Sequence, residues 1–264
     1  LTGTAESIGA FDRQALVDFT RRFYTGRTTI LTVAGQATHE CVLEEAAPLL
    51  GSLPAGRLPR YSRPGIPSGE PSVVAVKQEI EQTHLALGFH AFGRQDDRRY
   101  ALKLLSVILG ENMSSRLFQK LRERHGLCYS IQSGVVALED TGALTVFAAL
   151  DPANLEKAVR MTMAEMERLR ERPPSRAELR KAQDYTIGQT LMGLESTTNQ
   201  MMWMGESLLS YGKVVDPAHV ERRLLAVSPE EIQAAADLCL QRARIAVAVA
   251  GDVPETAKIR RWFS

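Results

Sequence analysis

The sequence predicts an α+β fold, and two observations carry that prediction. β-rich runs and helical periodicities come in mixed order, strands first and then several consecutive helices, which is not the regular alternation of a doubly wound sheet. A stretch over 51–72 that holds five of the twelve prolines and four glycines separates a short N-terminal region from a longer remainder.

The elements follow in order. Asp12 is a good N-cap for a helix to about residue 24, with Leu16, Phe19, Phe23 and Tyr24 at helical spacing. Thr28 to Ala34 is a β-rich run ended by Gly35, and a second helix pattern occupies roughly 39 to 50. Beyond the proline-rich stretch, Val73 to Val76 and Leu85 to Phe89 read as strands and Arg98 to Leu109 as a helix. Gly110 breaks the pattern, a helix follows from about Ser114 to Arg124, and Gly126 stops it. Leu127 to Val136 and Ala143 to Leu150 are strands. Asp151-Pro152 caps a helix with Leu155, Val159, Met163, Met166 and Leu169 on one face. Ser175 with Glu178, and Ser228 with Glu231, are capping boxes for two more helices, with another from Thr197 to Tyr211 between them. Ile245 to Ala250 is a last strand ending at Gly251.

Composition excludes several function classes. The 264 residues carry 32 basic and 31 acidic side chains, a formal charge of +1, which argues against a duplex nucleic-acid partner. No apolar run approaches the roughly 18 to 20 residues of a membrane span. Cys41, Cys128 and Cys239 are an odd number and far apart, so they suggest neither a disulfide framework nor a CxxC metal knuckle and read as buried thiols. The chain opens Leu1-Thr2-Gly3, without Met or a signal-peptide pattern, as a cleavage product or a cloned fragment would.

One internal echo stands out. Arg27 to Gly35 (RTTILTVAG) aligns with Ala243 to Gly251 (ARIAVAVAG), an offset of 216 positions. Each run follows an amphipathic helix and precedes a short helical segment. Two copies of one unit would give this pattern if the chain held the tail of one copy and all of the next.

The common catalytic motifs are absent: no GxGxxG, no GxxxxGK[ST], no GxSxG and no HExxH. His39, His84, His90, His125 and His219 include no i,i+4 pair. His84 and His90 share a strand face without a third ligand at metal spacing. Asn112-Met113-Ser114 reads as a chance sequon at a helix entrance, and Met201-Met202-Trp203-Met204 as core. The segment from Leu109 to Ile131, LGENMSSRLFQKLRERHGLCYSI, is a Gly turn, a helix, a Gly stop and a strand. Arg122 lies in the last helical turn and Tyr129 past the Gly126 reversal, so one groove can receive both. On composition alone, a solvated helix charge and an ordinary strand aromatic are the favoured explanations of the two.

This segment resembles the signature of the second, non-zinc half of the pitrilysin/insulinase metallopeptidases, in the branch that includes mitochondrial processing peptidase and its bacterial relatives. Residues 12 to 52 resemble the end of that family's first half, and 70 to 264 its entire second half. Glu111-Asn112 and Cys128 depart from the usual small residues. The resemblance implies a mostly antiparallel sheet with helices packed on one face, repeated in two halves. It divides the chain into 1–52, the tail of a preceding half-domain; 53–69, a linker; and 70–264, a complete C-terminal half-domain. The family's zinc site, His-x-x-Glu-His plus a distal Glu, belongs to the first half, and that motif is absent here. There a zinc and a Glu activate water.

By the same resemblance, Arg122 and Tyr129 bind substrate across from that zinc site, and no catalytic or metal-ligating residue falls on this chain. The expectation is a non-catalytic, substrate-binding half of a zinc endopeptidase, inactive alone, with no cofactor of its own and zinc in the intact enzyme or a partner subunit. Its expected partners are a peptide substrate and a zinc-bearing half or subunit of the same family, with a homodimer open. The expected setting is soluble, in a bacterial-type cytoplasm or periplasm. The alternative is a peptidase-dead scaffold subunit of a larger assembly.

Overall fold

A computed structural model describes residues 3–62, 64–65 and 69–263, so part of the linker lies outside the described residues. The chain forms two compact units. One comprises Leu1–Ser62 with Met192–Val215, the other Arg63–Leu191 with Asp216–Ser264.

The larger unit is built on a five-stranded sheet of order β1-β5-β2-β4-β3, with β1 Ser72–Lys77, β2 Thr83–Ala91, β3 Cys128–Ala137, β4 Gly142–Leu150 and β5 Ile245–Gly251. Every pairing is antiparallel except β1 with β5, so the sheet is mixed but mostly antiparallel. Its helices are α4 (Arg99–Ser106), α5 (Leu155–Glu171), α6 (Arg176–Gly193), α8 (Pro217–Leu225), α9 (Pro229–Cys239) and α10 (Thr256–Arg260). β2 shows why they gather on one face: its odd-numbered residues from Thr83 to Ala91 are buried, and its even-numbered ones are not. Leu85, Leu87 and Phe89 enter the same core as Leu102, Leu105, Val159, Met166 and Ile232 from the helices. Leu155, Val159, Met163, Met166 and Leu169 are all buried along α5, as their spacing predicts. Both capping boxes form, Ser175 with Glu178 and Ser228 with Glu231.

The smaller unit holds α1 (Ala5–Gly9), α2 (Arg13–Phe23), α3 (His39–Leu50) and α7 (Thr197–Tyr211). Asp12 caps α2 by accepting the Ala15 N–H at 2.7 Å. Three expectations are corrected here. Thr28 to Ala34 forms no strand, because no other strand lies among the described residues of its unit to complete a ladder. Cys41 is exposed on α3, whereas Cys128 and Cys239 are buried. The Met201–Met204 run is not core: Met202 is exposed and its neighbours are half-buried, because α7 fully buries only Ser207. Two short helices, α1 and α8, lacked a marked sequence pattern, whereas α10 is the short helical segment expected after Gly251.

The echo extends through the structure. N-caps Asp12 and Ser228 are 216 positions apart, α2 and α9 match end for end, and Gly35 and Gly251 share unusual φ angles of 142° and 137°. Yet the matching side chains differ in burial. Phe11, Leu16, Tyr24, Leu31 and Leu43 are exposed, and their counterparts Val227, Ile232, Leu240, Val247 and Ile259 are buried.

Candidate functional site

The segment from Leu109 to Ile131 is fixed at both ends. α4 continues through Val107–Glu111 in wide π-type turns, which bring Gly110 against β3; a Cβ there would lie 2.8 Å from the Ser133 backbone nitrogen. Beside it, buried Ser133 donates to the Ser106 carbonyl at 2.7 Å. The next helix begins at residue 116 and becomes a π-helix over Phe118–Arg124. Leu117 and Leu121 enter the core, while Arg116 forks onto Glu178 at 2.8 and 3.2 Å and Lys120 reaches Glu165 at 2.5 Å. Glu165 is buried, and Arg168 contributes a second bond to it at 2.7 Å. Burial opposes the charged form of Glu178, but hydrogen bonds from Arg116 and the Ser175 N–H outweigh it and hold the carboxyl below the usual range.

These anchors leave Arg122 exposed, its guanidinium over the Phe118 ring at 4.9 Å. Gly126, at φ 57°, reverses the chain, and the N–H groups of Gly126 and Leu127 donate to the carbonyls of Arg122 and Leu121. β3 then opens on a bulge: Cys128 pairs with Leu150 and Ser130 with Ala149, so Tyr129 has no partner on β4. The extra residue turns Tyr129 outward, 59% exposed, beside buried Cys128. Burial pushes the Cys128 thiol up, and the Arg122 charge pulls the other way. Among the described residues, neither the Arg122 guanidinium nor the Tyr129 hydroxyl makes a hydrogen bond or ion pair within the chain, so both remain available as donors. The sequence missed Phe118, Glu165 and Glu178 as supports, although Phe118 and Arg122 stand at helical i,i+4 spacing.

The histidines assemble no metal centre. His90 Nε2 lies 3.0 Å from Thr141 Oγ1, and His84 is exposed. Among the described residues, no group of three His, Cys, Asp or Glu side chains can hold a metal ion. No helix among them is long and apolar enough to cross a membrane.

The sequence matches, over residues 10–185, the family described as peptidase M16 inactive domain. The chain belongs to that family. A zinc protease of Mycobacterium tuberculosis is 35% identical to this M16 domain over 252 residues, 94% of the chain and 57% of its own length. A zinc protease of Bacillus subtilis is 29% identical over 233 residues, 88% of the chain and 56% of its own length. The M16 domain therefore spans little more than half of these curated relatives. Among solved structures, a peptidase M16 inactive domain from Pseudomonas fluorescens superposes with a TM-score of 0.85 at 20% identity, covering 96% of this chain and 60% of that one. A chain of Complex III2 from Candida albicans gives a TM-score of 0.85 at 15% identity, covering 99% and 64%. The family is thus a zinc-protease family, and this chain is its inactive domain.

Proposed function

We propose that this chain is the substrate-holding half of a two-part zinc endopeptidase, with residues 1–52 from the tail of the preceding half, 53–69 a linker and 70–264 the second half. Its partners are a peptide and a zinc-bearing half or subunit. The observation that carries this reading is the pair of unengaged donors, Arg122 on a helix anchored to Glu165 and Glu178 and Tyr129 on a bulge. A guanidinium and a phenol both donate and suit the carbonyl oxygens of an extended peptide or an oxyanion developing on one. No group of three His, Cys, Asp or Glu side chains among the described residues stands together for a metal, and this reading assigns the zinc and its chemistry to the partner.

A second reading, a scaffold subunit without peptidase activity, is favoured by the similarity to a chain of Complex III2. One experiment separates the two. The chain is reunited with a zinc-bearing half, as one polypeptide or two, and peptide cleavage is compared with that of Arg122→Ala and Tyr129→Phe. The peptidase reading expects each variant to lose about 2–4 kcal/mol of transition-state stabilisation, roughly 30- to 1,000-fold in rate. Folding should change by about 1 kcal/mol or less, since both side chains are exposed. Near-normal turnover by the folded double variant removes the substrate role, and an inactive reunited wild type supports the scaffold.

A further inference from the structure

Arg122 and Tyr129 each stand where the chain carries one residue more than regular geometry needs. Leu117 is fully buried, and Arg116 and Lys120 are held by Glu178 and Glu165, so the rotation of their helix is fixed at its start. An α-helix advances about 100° per residue, which would put position 122 about 140° around the axis from Leu117 and out towards solvent. The chain instead winds Phe118–Arg124 as a π-helix, whose turns take roughly one residue more. At roughly 80° per residue, Arg122 comes round to about 50° from Leu117. The N–H groups of Gly126 and Leu127 bond to the carbonyls of Arg122 and Leu121, so this last turn abuts the start of β3, and Arg122 stays exposed there.

The strand does the same for Tyr129. β3 alternates from Ser130 to Ser133, with Ile131 and Ser133 buried and Ser130 and Gln132 exposed. Carried back one position, that alternation would bury residue 129 and expose residue 128. The bulge between Cys128 and Ser130 reverses it: Cys128 is buried and Tyr129 is exposed. The seven positions from Arg122 to Tyr129 therefore contain two irregular residues, one in the helix and one in the strand. The same residue types on regular elements would send the guanidinium to solvent and the phenol into the core.

We propose that the extra residue of the π winding and the extra residue of the bulge are positioning devices, which together aim Arg122 and Tyr129 at one spot between the helix end and the start of β3. Departures from regular geometry persist where the surrounding structure holds them, and here the two ion pairs and the Gly126 reversal do so. The consequence for peptide cleavage rests on the substrate role proposed above for the pair; the aim of the two side chains does not.

The test uses the whole chain carrying Arg122→Cys and Tyr129→Cys, with Cys41→Ser, Cys128→Ala and Cys239→Ala, and dibromobimane, which fluoresces once it bridges two thiols. Bridging is expected in this chain and in its Glu123→Ala form, which keeps the length. Deleting exposed Glu123 leaves Leu117 and Lys120 in register and lets the last turn wind as α; deleting residue 128 instead removes the bulge and seats the thiol of position 129 in the buried place. Each deletion should slow bridging about tenfold or more. If the chain without Glu123 melts too early to be read, a glycine inserted after Gly126 restores the length and relieves the turn, and the same slowing is expected. In the otherwise native chain reunited with a zinc-bearing half, deletion of Glu123 should cost as much cleavage as Arg122→Ala, roughly 30- to 1,000-fold, and nothing further in the Arg122→Ala background. Bridging that never occurs, or that keeps its rate in folded deletion chains, overturns the inference. Slowed bridging with undiminished cleavage supports the aim of the two side chains and removes their substrate role, so the two claims fail separately.

Discussion

Arg122 owes its direction to neighbours that carry no mark in a single sequence. Phe118 seats the guanidinium, and Glu165 and Glu178 hold the helix from which it projects, 43 and 56 positions downstream. The residue types at 122 and 129 were legible through a resemblance; the supports were not, because an acid becomes an anchor only when folding brings the base beside it. Glu178 gives a titration that can be followed. Its carboxyl pKa is depressed in the folded chain, so its contribution to stability is full above the unfolded carboxylate value and fades as pH falls through the lower folded one. The melting temperature of the wild type should therefore exceed that of Glu178→Gln at neutral pH, and the gap should narrow as pH falls below the unfolded carboxylate value of about 4.3. A gap that does not narrow with falling pH would show that the Arg116 fork does not depend on the charge. The Cys239 thiol, pushed up to about 12 by burial, should stay unmodified by thiol reagents at pH 8 in folded protein, while exposed Cys41 reacts.

At the scale of elements, the sheet strands and long helices were readable because their periodicities and caps are local. Irregularities decided by contacts were not. The π-type turns after α4 and the bulge at Tyr129 arise where the helix end, Gly110 and β3 must fit against one another, and no pattern of residue types announces them. Gly110→Ala should push α4 off β3 at the Ser133 backbone and cost about 1–3 kcal/mol, read from a shift in the urea midpoint with little change in slope. The missing strand at Thr28–Ala34 teaches the converse. Its composition is that of a strand, but a strand exists only as a member of a ladder, and its unit supplies none among the described residues. Amide exchange should show this directly: 29–35 exchanging fast, 245–251 slowly, despite matching sequences. Equal protection would mean that the segment is paired in solution.

At the scale of the whole molecule, the repeat was visible as a nine-residue echo, but its meaning was not. Only burial shows that one copy is closed and the other open, with Leu16, Leu31 and Leu43 exposed where Ile232, Val247 and Ile259 are buried. The absent histidine motif was legible at once, and it leads to a direct check: the chain after dialysis should carry well under one zinc per molecule, and a tightly held stoichiometric zinc would contradict the assignment of the metal to a partner.

The position of β5 between β1 and β2 also has a consequence in time. β1 and β2 lie only a few residues apart, yet in the finished sheet they are not neighbours; each bonds to β5, synthesised about 160 to 170 residues later. A growing chain therefore holds a bare edge on each of two strands open while about 160 further residues are made, and at about 5–20 residues per second that interval is roughly 10 to 30 seconds. Closure waits for β5. A stop codon between Leu150 and Ile245 leaves β1 without a partner and β2 with one edge unpaired, which makes such a truncation a route to aggregation rather than to a shorter soluble domain.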